Sequence, residues 1–229
     1  YPAARLGEDA VQFLAQELRI LSQSLKNTYG RPFSSGDLLT GASLVGGFRD
    51  AAQTLYACRI VDPSLVSYSE LARMVREFLT IPSASAADQI NKSASAASQV
   101  LDERGQLTIA KSLPKALATG TLSNIKIAAE SNTPRVLVVG GMIEPQAVAS
   151  LFRGSAKYGD EAIVLDLLSF GFKTVFTPCM SLEGDPFVAM SRCILGAPSE
   201  PTQEGLAERL EVLKLLLTRL SIDGLVVCE

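Results

Sequence analysis

Cysteine is the residue type with which this chain could bind a metal or perform redox chemistry, and its four copies are widely spaced. They are Cys58, Cys179, Cys193 and Cys228, and no two of them form a CxxC pair. The spacing indicates neither a structural zinc site nor a disulfide framework, and it is typical of cytosolic thiols. A cysteine outside such patterns is most often a small buried hydrophobe. We therefore assign no metal-binding residue from the sequence.

Histidine is missing from all 229 residues, and its absence excludes the commonest catalytic pairs. The chain by itself cannot supply a Ser-His-Asp or Cys-His arrangement, and it cannot supply a mixed Cys-His zinc site. Most familiar hydrolase chemistry is excluded for this chain acting alone.

Three carboxylates are the remaining candidates for acid-base work. Asp166 ends a predicted strand, and Glu183 and Asp185 lie in the loop that follows, so all three could line one crevice. The alternative is that they are ordinary solvated charges. We favour that alternative because neither a partner base nor a metal-ligand spacing accompanies them. No catalytic residue is assigned.

Gly140, Gly141 and Met142 stand between a predicted strand and a predicted helix. Ligands of α/β proteins bind at the carboxyl ends of the strands, where such turns lie. The spacing is neither GxGxxG nor GxxxxGK[ST], so it supports neither a dinucleotide nor a nucleoside triphosphate as the ligand. A ligand contact and a plain tight turn are equally open alternatives. These three residues are the candidate cofactor-binding residues.

Three short apolar runs predict the strands that position this turn. They are Val136–Val139, Ala162–Asp166 and Leu225–Cys228, and helical periods separate them, including a helix that begins at Asp185-Pro186. Alternation of strands and helices builds a parallel sheet. Residues 134–229 are therefore predicted to form a partial doubly wound α/β domain.

Residues 1–133 are predicted to form a helical region that contains an Ala/Ser-rich linker. Apolar residues at spacings of three and four predict helices from Val11 to Leu25, from Leu38 to Arg59 and from Tyr68 to Leu79. Between Pro82 and Ser98 the chain consists largely of Ala and Ser, with few large apolar residues. Such a composition gives either a weak helix or a flexible linker, and we interpret it as a linker.

Charge and hydropathy exclude two classes of partner. The formal net charge is -3, and basic and acidic residues are mixed along the chain, so no basic face is available for a phosphate backbone. No apolar run approaches the roughly 18 residues of a membrane-spanning helix. We expect a cytoplasmic protein that binds neither nucleic acid nor a membrane.

Several segments, taken in chain order, carry a resemblance to a known family. In the helical region these segments are Ala10-Val11-Gln12-Phe13-Leu14, Tyr29-Gly30-Arg31-Pro32-Phe33, Asp37-Leu38-Leu39 and Asp62-Pro63. In the α/β region they are Arg135 to Gly141, Ala162 to Asp166, Gly184 to Met190 and Arg209 to Val227. Together they resemble the subunits of 2-hydroxyacyl-CoA dehydratases, such as the 2-hydroxyglutaryl-CoA dehydratase D-component, and of benzoyl-CoA reductases.

This resemblance implies a fold, a reaction and partners. Family members have flavodoxin-like domains that hold a [4Fe-4S] cluster by cysteines, with the acyl-CoA thioester bound beside it. One-electron reduction, driven by a separate ATP-dependent activator protein, expels the 2-hydroxyl group as water. A homologous second subunit completes the enzyme. The resemblance thus implies a subunit fragment of an iron-sulfur acyl-CoA dehydratase or reductase of anaerobic metabolism.

The cluster itself is expected to depend on residues outside these 229. The resemblance places the cluster cysteines before Tyr1 and just after Glu229, so Cys228 lies near a ligand position without matching it. We therefore expect the cluster in the full-length protein and no cofactor in this fragment. The alternative is a non-catalytic binding or assembly subunit that has the same fold and lacks the cluster. Dehydration and ring reduction are not distinguished by the sequence, and neither is the acyl group.

Overall fold

The computed structural model describes residues 7–30, 34–119, 122, 127, 133–153, 158–178, 183–197 and 206–228. Cys179 and most of the motif at residues 29–33 lie outside the described residues. The helices are α1 (Glu8–Tyr29), α2 (Ser35–Val61), α3 (Tyr68–Thr80), α4 (Ala84–Glu103), α5 (Leu107–Thr119), α6 (Pro145–Arg153), α7 (Thr174–Phe176), α8 (Pro186–Leu195) and α9 (Leu206–Arg219). The strands are β1 (Val136–Gly140), β2 (Ile163–Leu167) and β3 (Gly224–Cys228).

The chain forms two compact units, and the division between them falls inside α2. Unit 1 comprises Tyr1–Gly47 and Thr177–Ala197, and unit 2 comprises Phe48–Phe176 and Pro198–Glu229. The assignment of residues 1–133 and 134–229 to separate domains stays a prediction.

Unit 1 contains α1, which packs against α8. Gly30 ends α1 in the left-handed conformation, with φ of 68°, and its N–H donates to the Lys26 carbonyl. The leucine stripe predicts this helix correctly but not its buried face. The buried residues are Ala10, Val11 and Ala15, whereas Leu21 is 53% exposed. The small side chains allow close approach of α8.

In unit 2, the Ala/Ser-rich segment is a regular helix, so the linker interpretation of Pro82–Ser98 is wrong. The Ser83 hydroxyl caps α4 by accepting the Ala86 N–H at 3.2 Å. The buried residues of α4 recur at spacings of three and four: Ala87, Ile90, Ala94, Ala97 and Leu101. Alanine has the highest helix propensity, and its small side chain lets α4 pack closely against α3 and α5.

The three predicted strands of unit 2 form one parallel sheet, as expected, in the order β2-β1-β3. β1 lies in the centre, with Leu137 and Val138 fully buried. α6 begins at Pro145, because proline is tolerated at the first helical position. Helical segments followed by a parallel sheet confirm the predicted α/β class.

A helical segment after β2 was not predicted. Residues Ser169–Lys173 form a wide helical turn that leads into α7, and the turn is kinked at Gly171, with φ of -110° and ψ of -109°. These angles are not helical. Because the backbone is not helical at Gly171, the segment follows no regular helical period that a sequence pattern could reveal. Tertiary contacts must therefore determine its shape.

Candidate functional site

The carboxyl edge of the sheet in unit 2 brings the glycine turn beside the end of β3. Gly140 pairs with Cys228 in the parallel register. A Cβ atom at Gly140 would lie 2.9 Å from the Cys228 carbonyl oxygen and 3.0 Å from Leu168 Cδ2. Only glycine allows this close approach of the two strands. Gly140 is thus a residue that the sequence singles out, and the structure shows that close packing against β3 requires glycine there.

Gly141 and Met142 continue from Gly140 toward the start of α6. The Gly141 carbonyl accepts the Ser169 N–H at 3.1 Å, which joins the turns that follow β1 and β2. The Met142 side chain is 79% exposed. The turn thus stands at the edge where α/β proteins bind ligands. Its role in cofactor binding stays a prediction.

Asp166 is fully buried inside β2, so the interpretation of this residue as a solvated charge is wrong. One carboxylate oxygen, Oδ1, accepts the N–H groups of Leu168 and Phe172, both at 3.0 Å. The other, Oδ2, accepts the Tyr56 hydroxyl at 2.5 Å. Burial raises the pKa of the Asp166 carboxyl, and these hydrogen bonds oppose that rise. The carboxylate thus accepts hydrogen bonds from surrounding protein groups and does not face solvent.

Two tyrosines from α2 and α3 surround this carboxylate. Burial, followed by the charge of Asp166, raises the pKa of both Tyr56 and Tyr68 well above the ordinary value. The Tyr68 hydroxyl lies near enough to affect the pKa of Asp166, although no hydrogen bond of normal geometry joins them. Both rings therefore remain neutral phenols.

Arg59 is a fully buried cation of the same unit. Its guanidinium donates to four backbone carbonyls, those of Pro63, Val66, Asp160 and Ile163, and it lies 5.7 Å from the centre of the Tyr68 ring. Burial lowers its pKa to about 10, so it stays charged at neutral pH. No sequence motif identifies Arg59 or Tyr56, because both occupy ordinary helix positions. Their importance follows from tertiary contacts alone.

Glu183 and Asp185 belong to unit 1, whereas Asp166 belongs to unit 2. Asp185 caps α8 by accepting the Phe187 N–H at 2.9 Å, and it forms an ion pair with Arg19. That cap confirms the predicted Asp-Pro helix start. Asp185 therefore has a structural role in holding α1 and α8 together.

The described cysteines sit on separate elements. The Cys58 thiol lies 4.0 Å from the Ser98 hydroxyl, and burial raises the pKa of this thiol. The Cys193 thiol donates to the Pro178 carbonyl at 2.7 Å. Cys228 ends β3 and is partly buried. Within the described ranges, no group of three or more Cys, Asp or Glu residues is placed to hold a metal ion.

Two adjoining grooves in unit 2 border the start of α6 and share Arg76 and Thr80. The large groove has a volume of about 620 Å³, and its lining includes Arg73, Ser83 and Gln146. The small groove has a volume of about 210 Å³, and its lining includes Leu79, Pro145 and Phe170. Charged groups line both grooves, Glu77 beside the arginines in the large one and Glu144 in the small one, where apolar side chains add to the lining. No motif in the sequence indicates either groove.

No described helix has the length and hydropathy needed to cross a membrane.

Comparison with known proteins gives the family. No curated protein matches the chain. The family model for the 2-hydroxyglutaryl-CoA dehydratase D-component matches residues 1–229. This match covers the whole sequence and agrees with the resemblance carried by its segments, so the chain belongs to the 2-hydroxyglutaryl-CoA dehydratase D-component family.

Proposed function

We propose that this chain is part of a subunit of a 2-hydroxyacyl-CoA dehydratase and that unit 2 binds the acyl-CoA thioester. The enzyme removes the 2-hydroxyl group of its substrate as water. A homologous second subunit and an ATP-dependent activator protein are its proposed partners. One observation carries the proposal: in a chain of the dehydratase family, two grooves adjoin the helix that follows the glycine turn of the sheet.

The strand order supports a flavodoxin-like domain. In that fold the strands lie in the order 2-1-3-4-5, and ligands bind where the order reverses, at the carboxyl edge beside the first strand. The order β2-β1-β3 corresponds to its first three strands. Gly140 and Gly141 follow the central strand at that edge, so we retain them, with Met142, as proposed ligand-binding residues.

The lining of the two grooves suits the two ends of an acyl-CoA. Arg73 and Arg76 provide guanidinium groups at the large groove, and guanidinium binds phosphate well. Both are partly exposed and now pair with neighbours, Arg73 with Glu77 at 2.6 Å and Arg76 with Gln146 at 2.7 Å and Glu144 at 3.8 Å. A phosphate could replace these exposed contacts. Leu79 and Phe170 give the small groove an apolar surface for the thioester arm.

The [4Fe-4S] cluster of the family does not fit the described residues alone. A cluster takes four thiolates in most proteins, and the described cysteines form no converging set. We therefore assign no step of the reduction to residues of this chain. Reduction by one electron and a cytoplasmic location stay predictions for the complete enzyme.

The experiment uses the full-length protein together with its partner subunit, purified without oxygen. Binding of acetyl-CoA is measured by isothermal titration calorimetry in the wild type, in Arg76→Gln and in Phe170→Ala. Each variant should weaken binding about tenfold, because a lost hydrogen bond or apolar contact of typical strength changes affinity by that factor. Loss of water from 2-hydroxyacyl-CoA substrates is then followed with the activator and ATP.

Two control variants separate a local effect from a general one. Lys111→Gln removes an exposed charge from α5, and Leu151→Glu alters a 73% exposed side chain of α6 outside both grooves. Neither should change the affinity. Equal affinity in all four variants would contradict the proposed site. Binding of acetyl-CoA without turnover of any 2-hydroxyacyl-CoA or benzoyl-CoA would favour the non-catalytic alternative.

A further inference from the structure

The segment that follows β2 connects the buried carboxylate of Asp166 with the proposed binding site. The Asp166 Oδ1 atom accepts the N–H groups of Leu168 and Phe172 and so closes the backbone of the segment around itself. Gly171 lies against the same carboxylate, because a Cβ atom there would stand 2.7 Å from Asp166 Cγ. The path of residues 168–172 is therefore fitted around one side chain.

The same segment touches the glycine turn at two points. The Ser169 N–H donates to the Gly141 carbonyl at 3.1 Å. The Leu168 side chain fills the space beside Gly140, where a Cβ atom would lie 3.0 Å from Leu168 Cδ2. A change in the path of the segment would thus move its contacts with the turn.

The segment also contributes a wall to the small groove. Phe170 lies between the residues that Asp166 binds, its side chain is 42% exposed, and it lines the groove opposite residues of α3. The hydrogen bonds that the Leu168 and Phe172 N–H groups donate to Asp166 restrain the backbone on either side of this ring.

We propose that Asp166 is a positioning residue: its buried carboxylate fixes residues 168–172, and thereby holds Phe170 and the Gly140–Met142 turn in the arrangement that binds the acyl-CoA. This inference rests on the proposed function. Asp166 itself contacts no ligand, because it has no exposed surface.

The test compares two substitutions of Asp166 in the full-length protein with its partner subunit. Asp166→Leu removes the acceptors, whereas Asp166→Asn keeps one carbonyl oxygen for the two N–H groups. Affinity for acetyl-CoA should fall about tenfold or more in Asp166→Leu, by the loss of several typical interactions, and should recover largely in Asp166→Asn. Hydrogen exchange of residues 140–142 and 168–173 should accelerate in the leucine variant.

A matched control uses the other buried aspartate of the unit. Asp160 accepts the Ser69 N–H at 2.6 Å and so binds the start of α3 rather than residues 168–172. Asp160→Asn should leave hydrogen exchange of residues 168–173 unchanged. If Asp166→Leu does not fold, Ser169→Pro gives the test, since it removes the N–H that donates to Gly141. That variant should weaken binding and accelerate exchange of the turn.

The outcomes distinguish this inference from the proposed function. Unchanged exchange and affinity in a folded Asp166→Leu or Ser169→Pro protein would overturn the positioning role. Accelerated exchange of the turn in these variants, without it in Asp160→Asn, supports that role even if the wild type binds no acetyl-CoA. Failure of the wild type to bind the probe would contradict only the proposed function.

Discussion

The two units differ in how deeply charged side chains are buried, although unit 2 also has exposed ion pairs such as Arg73–Glu77. In unit 1 the charges that link α1 to α8 lie at the surface: Arg192 pairs with Glu8 at 3.0 Å, with side-chain exposures of 58% and 60%. In unit 2, Arg59 and Asp166 have no exposed surface and bind mainly neutral groups. Water and salt screen the exposed ion pairs, so that losing one changes stability little. Losing a partner of a buried charged group lowers stability much more. Unit 2 should therefore be far more sensitive to charge removal.

The largest effect is expected for Arg59→Met, which leaves four backbone carbonyls of unit 2 without their donor. A buried acceptor left without its donor costs about 1–3 kcal/mol, so the free energy of unfolding should fall by about 4 kcal/mol or more. Thermal and urea unfolding of the intact protein measure the change. The matched control is Arg192→Met in unit 1, which should leave the melting temperature unchanged. Similar destabilisation by both variants would refute the contrast between the units.

A steric test of the buried site is Gly171→Ala. The new methyl group would overlap the Asp166 carboxylate, and overpacking of this kind destabilises by about 1–3 kcal/mol. The control is Gly41→Ala, in the part of α2 that belongs to unit 1, where no atom lies within 4 Å of the added group. That control should stabilise the protein by about 0.5–1 kcal/mol, because alanine favours a helix. Denaturant unfolding that gives both changes the same sign would contradict this account.

The pH dependence of stability should differ between Asp166→Asn and the wild type. Because folding raises the pKa of Asp166, this group stabilises the fold below its ordinary pKa of about 4 and loses that contribution as the pH rises through the raised value. The asparagine variant does not titrate. The melting temperature of Asp166→Asn relative to wild type should therefore rise from acid to neutral pH.

A control with the opposite sign is Asp62→Asn. Asp62 is partly buried, which raises its pKa, but hydrogen bonds from Ser64 and Arg104 outweigh burial and lower the pKa overall. Its contribution to stability is present above the ordinary pKa and is lost as the pH falls through the lowered value. Asp62→Asn should thus be less stable than wild type at neutral pH and approach it in acid. Parallel pH profiles for the two variants would contradict the assigned pKa directions.

A moderate effect within unit 1 is expected for Asp185→Ala. Asp185 caps α8 and pairs with Arg19, and removal of a helix N-cap destabilises by about 1 kcal/mol. Most of the loss should come from the cap, so Asp185→Asn, which still accepts the Phe187 N–H, should restore stability. Melting temperatures of the two variants make the comparison. A variant Asp185→Asn that is as unstable as Asp185→Ala would show that the ion pair matters more than the cap.

The smallest effect is expected for Glu8→Gln. The pKa of Glu8 is lowered by hydrogen bonds from Gln12 and Arg192, yet most of the side chain is exposed to solvent. Screening by water should leave the melting temperature unchanged within error, at low and at high salt. A salt-dependent loss of stability in wild type that the variant lacks would show that exposed pairs stabilise unit 1 after all.

The sequence alone determined the elements whose signals are local. Short apolar runs predict all three strands, and Asp185-Pro186 predicts the start of α8, because strand pattern and helix caps depend on neighbouring residues. The order of segments also gave the family. The prediction of a linker is wrong for alanine-rich α4, because a buried alanine stripe is recognised by the spacing of its residues and not by their hydrophobicity.

Only the tertiary structure decided which side chains meet. The pairing of β3 with β1 and the packing of α8 on α1 join residues distant in sequence, and no local pattern specifies them. Asp166 was expected at a solvated edge, yet Tyr56, from a helix 110 residues earlier, covers it. Gly171 has non-helical backbone angles and lies against this carboxylate, so the sequence of its turn shows no helical periodicity. Such sites depend on desolvation and long-range contacts, which arise only when the chain is folded.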